Sequence, residues 1–81
     1  MVAKLRDLEI GQTGVVTGYQ NGRSPYRSRL LAMGLTRGTE FTLMKVAPMG
    51  DPVELELRGF NLSLRKDEAD VLIVESTGAD G

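Results

Sequence analysis

Neither cysteine nor histidine occurs in this sequence of 81 residues, and tryptophan is absent too. Without cysteine there is no disulfide and no thiolate metal site, so the chain does not depend on an oxidising compartment. Without histidine no side chain titrates by its nature near neutral pH, and no imidazole can hold zinc or iron. The usual apparatus of small enzymes is therefore missing, and we expect no catalytic residue, no metal ligand and no cofactor. Charge of one sign is scarce as well: ten basic residues face eleven acidic ones, for a net charge of −1. The signs are interspersed, which weighs against the clustered basic face of a nucleic-acid binder. The first residues lack the apolar stretch of a signal peptide, and no apolar run approaches a membrane span. No membrane insertion and a cytoplasmic location are the expectations.

The length suits a single domain whose small core leaves only a few kcal/mol of net stability. Leu5, Leu8 and Ile10 suit one short helical turn with the leucines on the core. Residues 14–20 are β-branched and aromatic between glycines and read as a first strand, followed by an Asn21-Gly22-Arg23 turn. Ser24 is a good N-cap and Pro25 a good first helical residue. Tyr26, Leu30 and Met33 share one helical face, and Gly34 can close the helix so that Leu35 packs back onto it.

Residues 40–47 read as a second strand whose alternation slips between Leu43 and Val46, as a bulge would make it. Val53, Leu55 and Leu57 alternate with polar residues, and so do Phe60, Leu62 and Leu64. With Arg58-Gly59 as a two-residue turn, the apolar faces of the two runs coincide in a hairpin. Residues 65–70 form a polar connector of about one helical turn, and residues 71–74 a last strand. The pattern predicts a mainly β fold, a small, partly open SH3-like barrel of about five strands with one short helix after the first. The domain is expected over residues 1–75, with residues 76–81 as a disordered tail.

Residues 24–38, with Arg29-Leu30-Leu31-Ala32-Met33-Gly34-Leu35 at their centre, residues 46–52 and residues 62–66 together resemble the FeoA family over about residues 4–75. These are small cytoplasmic proteins of bacterial ferrous iron uptake. The resemblance implies an SH3-like barrel and an accessory role beside FeoB, a membrane transporter with a cytosolic GTPase domain. A non-enzymatic module that binds that transporter is the favoured reading. Alternatives are a regulator of GTP hydrolysis acting in trans and a small nucleic-acid-binding barrel.

Candidate sites stand beside plainer readings. Glu54, Glu56, Asp67, Glu68 and Asp70 are the carboxylates an iron ion would use, yet the first two alternate as a solvated face must. Met33, Met44 and Met49 are soft ligands that more often fill core gaps. Arg27, Arg29, Arg37, Arg58 and Arg65 are plausible arginine fingers, but exposed arginines are the rule and a solvated or salt-bridged role is expected. Phe41 and Phe60 are expected on inward strand faces, so a polyproline groove is not. An aliphatic partner surface of Leu30, Leu31, Met33 and Leu35 is the alternative to a simple cap over the barrel. The stiff loop 48–52, with Met49 and Asp51, is the second candidate contact, or else only a hairpin connection.

Overall fold

The computed structural model describes residues 2–20 and 25–77. Among these residues six antiparallel strands form one sheet: β1 (Val2–Ala3), β2 (Thr13–Tyr19), β3 (Glu40–Val46), β4 (Val53–Leu57), β5 (Phe60–Leu64) and β6 (Leu72–Ser76). Their spatial order is β1-β6-β2-β3-β4-β5, so β1 and β5 are the open edges. Helix α1 (Pro25–Ala32) follows β2, and α2 (Lys66–Val71) joins β5 to β6. The architecture is the expected SH3-like one, with one strand more than the sequence suggested. That strand is two residues long and pairs Val2 with Glu75 and Ala3 with Val74, too short for periodicity to reveal.

The hydrophobic faces assemble as alternation dictates. Phe41 and Leu43 of β3, Val53, Leu55 and Leu57 of β4, and Leu72 and Val74 of β6 are buried with Val16, Leu5, Leu30, Leu35, Leu64 and Ala69. Two bulges decide which residues join them. In β3 the register passes from Leu43↔Leu55 to Lys45↔Glu54, leaving Met44 as the extra residue. Val46 is thereby turned to the side of its partner Val53 rather than away from it. In β2 the register passes from Val16↔Val74 to Gly18↔Ile73 across Thr17. Tyr19 then shares the side of Leu72, and its hydroxyl donates to the Leu35 carbonyl. Gly14 lies opposite Phe41, and a Cβ there would sit 2.9 Å from the ring and 3.0 Å from the Glu75 carbonyl oxygen. Only glycine permits that approach.

Helix α1 ends as expected. Gly34 has φ 96°, its N–H donates to the Leu31 carbonyl, and the Leu35 N–H donates to the Leu30 carbonyl at 3.0 Å. That is the Schellman pattern, and it drives Leu35 into the core. The Asn21-Gly22-Arg23 turn, the Ser24 cap and the tail beyond residue 77 lie outside the described residues. The expected tail begins too early, however. Ser76 belongs to β6, and the Thr77 N–H donates to the Thr13 carbonyl at 3.2 Å.

Two further expectations are corrected. The connector after β5 is a helix that also takes Val71, and its Glu68 is only 3% exposed. Glu68 Oε1 accepts the Arg65 N–H at 2.9 Å, and Oε2 meets Arg29 at 3.1 Å. Half of a capping box and a salt bridge to α1 thus satisfy the buried carboxylate. Phe60 is not core, being 49% exposed. The hairpin register is as expected, Leu57 opposite Phe60, so Phe60 is on the correct face. But β5 is an edge strand, and its burial fades from Leu64 through Leu62 to Phe60 towards the hairpin tip.

Phe60→Ala should therefore cost less than about 1 kcal/mol, whereas Leu55→Ala, at a fully buried position, should cost about 2–5 kcal/mol. Thermal melts of the two variants separate edge from core. Arg29→Ala should cost about 1–3 kcal/mol by leaving the Glu68 carboxylate half satisfied. Glu68→Gln, which keeps an acceptor for the Arg65 N–H, should cost less than Arg29→Ala and Glu68→Ala combined. A denaturant series on these variants reads the coupling.

Candidate partner-binding surface

The connection between β3 and β4 is tightly specified. Residues 47–50 make a tight turn whose third residue, Met49, lies outside helical φ/ψ, with the Gly50 N–H donating to the Ala47 carbonyl at 2.8 Å. The Ala47 N–H donates to the Pro52 carbonyl at 3.0 Å, which closes the loop across its base. Met49 at its tip has φ 70° and is 93% exposed. A side chain other than glycine costs about 1–2 kcal/mol in this left-handed region. The loop thus presents a large apolar side chain to water at the expense of local strain, a combination that clusters at functional positions.

Beside this loop lies an apolar cleft of about 250 Å³. Its apolar wall comes from Leu5, Leu8, Val46, Val53 and Ala69. Val46 is there because of the β3 bulge, and Leu5 because a 3-10 turn at Leu5–Asp7 directs it inward. That turn is held by Asp7, whose carboxylate accepts the Lys4 N–H at 3.1 Å. Arg6 and Asp70, paired at 3.0 Å, form part of the rim. The cleft was not foreseen, since Leu5 and Leu8 read as core and Val46 as an ordinary strand residue. The slip in alternation after Leu43 was its one sequence signal.

The predicted contact residues fare differently. Leu30 and Leu35 have no exposed surface and cannot reach a partner. The Schellman closure that joins them turns both inward. Leu31 and Met33 are half-buried at the margin of α1. Met49 is fully presented. Asp51 is exposed, but its carboxylate accepts the Lys66 N–H at 3.1 Å and so caps α2 from the loop. The helix and the loop are joined through a third element. Helix α2 links them, bonded to Asp51 through Lys66 and to Arg29 through Glu68.

Most of the other polar candidates have local work. Glu68 and Asp70 are paired with Arg29 and Arg6. Arg27 lies 5.5 Å over the Tyr19 ring. Burial pushes the Tyr19 hydroxyl above its usual pKa, against the opposing effects of Arg27 and Arg37. Glu54 stands opposite Lys45 on the next strand, and Glu56 opposite Thr42 and Asn61. Among the described residues no three acidic side chains are grouped to hold a metal ion, and no helix is long and apolar enough to cross a membrane.

The whole of this framework recurs in known proteins. A FeoA-like protein of Clostridium acetobutylicum is 42% identical, with a TM-score of 0.84 over 94% of this chain and 87% of that one. A Stenotrophomonas maltophilia FeoA complexed with zinc, described as a prokaryotic SH3 domain protein, is 24% identical, and its TM-score of 0.75 over 90% of this chain and 89% of that one shows the shared fold. A Fe(2+) transport protein A/Fe(2+) transporter FeoB fusion protein of Porphyromonas gingivalis (strain ATCC BAA-308 / W83) is 35% identical over 72 residues. That alignment takes in 89% of this chain and 8% of the fusion protein. The FeoA domain model matches residues 3–76, from β1 to the end of β6, and the chain belongs to the FeoA domain family.

Proposed function

We propose that this chain is a non-enzymatic interaction module of ferrous iron uptake, acting in the cytoplasm by binding the cytosolic part of a FeoB-type transporter. The observation that carries the contact is Met49, strained and 93% exposed beside the apolar cleft. A methionine can adapt to an irregular partner surface, and a stiff loop loses little entropy when it docks. Leu31 and Met33 extend the surface on the far side of α2. The fusion of a related domain to FeoB in one chain supports the choice of partner, because joining two modules raises their effective concentration for each other.

Met49→Gln should leave the fold unchanged and weaken binding to the cytosolic domain of the transporter at least about tenfold, or about 1.4 kcal/mol. Met49→Gly separates strain from contact. It should weaken binding as much while raising the melting temperature, because glycine accepts the left-handed backbone. Leu31→Gln should have a smaller effect in the same direction, and Glu54→Gln none. Calorimetry on variants shown by circular dichroism to be folded decides the matter. If the Met49 variants bind as the parent does while Glu54→Gln does not, the contact lies on the sheet instead. Anaerobic titration with Fe²⁺ should show no stoichiometric site of micromolar affinity, the available carboxylates being paired or dispersed.

A further inference from the structure

At the other end of β4 from the Met49 cleft, the segment after α1 faces the β4–β5 hairpin across a groove of about 500 Å³. Val53 borders the cleft and Leu57 the groove, so the two are separated by the strand's length, about 13 Å. Arg37 stands on one wall and Arg58, at the hairpin turn, on the other, with the exposed ring of Phe60 beside Arg58. Both arginines are exposed. The ion pairs of the described residues engage Arg6 and Arg29, not these two. Glu40 also lines the groove, so two guanidinium groups against one carboxylate leave it positive in a chain whose net charge is −1.

Phe60 also opens β5, the edge of the sheet. Leu57 and Phe60 flank a two-residue turn, and such a pair exchanges its hydrogen bonds within the hairpin. By alternation Leu62 and Leu64 bond to β4 as well, and Asn61 and Ser63 turn their N–H and C=O groups outward. Both residues are exposed. Edge strands are ordinarily guarded by lysine, proline or a bulge, and β5 has none of these: its sequence is Phe-Asn-Leu-Ser-Leu and its pairing with β4 is continuous.

We propose that this groove and edge together receive an extended, acidic protein segment, which adds as a strand to β5 while its carboxylate meets Arg37 and Arg58. Main-chain bonds at Asn61 and Ser63 supply affinity without regard to sequence. The guanidinium pair supplies the preference for acid, through charge-assisted bonds that a neutral side chain cannot make. Phe60 receives an apolar neighbour of that acid. This contact is independent of the Met49 surface and does not require the same partner.

The probe is a short fluorescent peptide of alternating Glu and Val with capped ends, compared with its Gln counterpart by anisotropy. The Glu peptide should bind about tenfold tighter than the Gln peptide, and rising salt should narrow the difference. Arg37→Gln and Arg58→Gln should each weaken the Glu peptide severalfold and leave the Gln peptide unchanged. Asn61→Pro removes an outward N–H that the fold does not use, and it should weaken both peptides without lowering the melting temperature. Met49→Gln should bind the peptide as the parent does, so a failure of the transporter contact leaves this result intact. Equal binding of the two peptides, or parental binding by the arginine variants, would overturn the proposal. So would displacement of the peptide by a single-stranded oligonucleotide at lower concentration, or sedimentation showing that the free chain already dimerises and that Asn61→Pro abolishes the dimer.

Discussion

The Glu68 carboxylate of α2, buried against α1, is the constraint that ties the helices and the cleft-bordering turns together. One oxygen accepts the Arg65 N–H and starts α2; the other holds Arg29 of α1. The same short helix is capped by Asp51 from the β3–β4 loop and tied through Asp70 to Arg6 of the N-terminal 3-10 turn. It also contributes Ala69 to the core. Every non-strand segment that borders the Met49 cleft or presents Leu31 is thereby bonded to α2. A buried charge is tolerable because both oxygens have donors, and removing either donor would expose the desolvation cost.

A chain of this size gains little margin from its core, so where it accepts a local cost is informative. Gly14 gives up a side chain so that the Phe41 ring can lie against the backbone of β2. Met49 takes a left-handed backbone with no compensating burial. The first choice serves packing and the second does not, which sets the loop tip apart from the sheet face. An open sheet adds another resource: β4 is covered on both sides by partners, while β5 leaves half of its main-chain groups to water.

The two bulges carry more of the architecture than their size suggests. Each inserts one residue and so exchanges the two faces of a strand beyond that point. In β3 this brings Val46 to the cleft, and in β2 it brings Tyr19 over the core side, where its hydroxyl meets Leu35 and its ring meets Arg27. Without the second bulge Tyr19 would point away from α1, and the helix would lose its link to the sheet at that end.

Local pattern sufficed wherever a segment's own residues decide its state. The alternation of residues 53–57 and 60–64, the Arg58-Gly59 turn between them, and Gly34 with Leu35 at the end of α1 are all legible from sequence, because period and turn chemistry are short-range. The absence of cysteine and histidine likewise narrowed the chemistry before any fold was known. Tertiary structure alone decided which of the apolar residues stay wet. Alternation gives Phe60 the inward face, but whether another layer reaches it depends on β5 being last in the sheet. Leu30 and Leu31 are neighbours of equal hydropathy, yet only the packing of α1 buries one fully and the other in part. Glu68 is indistinguishable from Asp67 in a polar run until Arg29, thirty-nine positions earlier, is brought beside it. Such pairings are set by how the chain returns on itself, and no local periodicity records that.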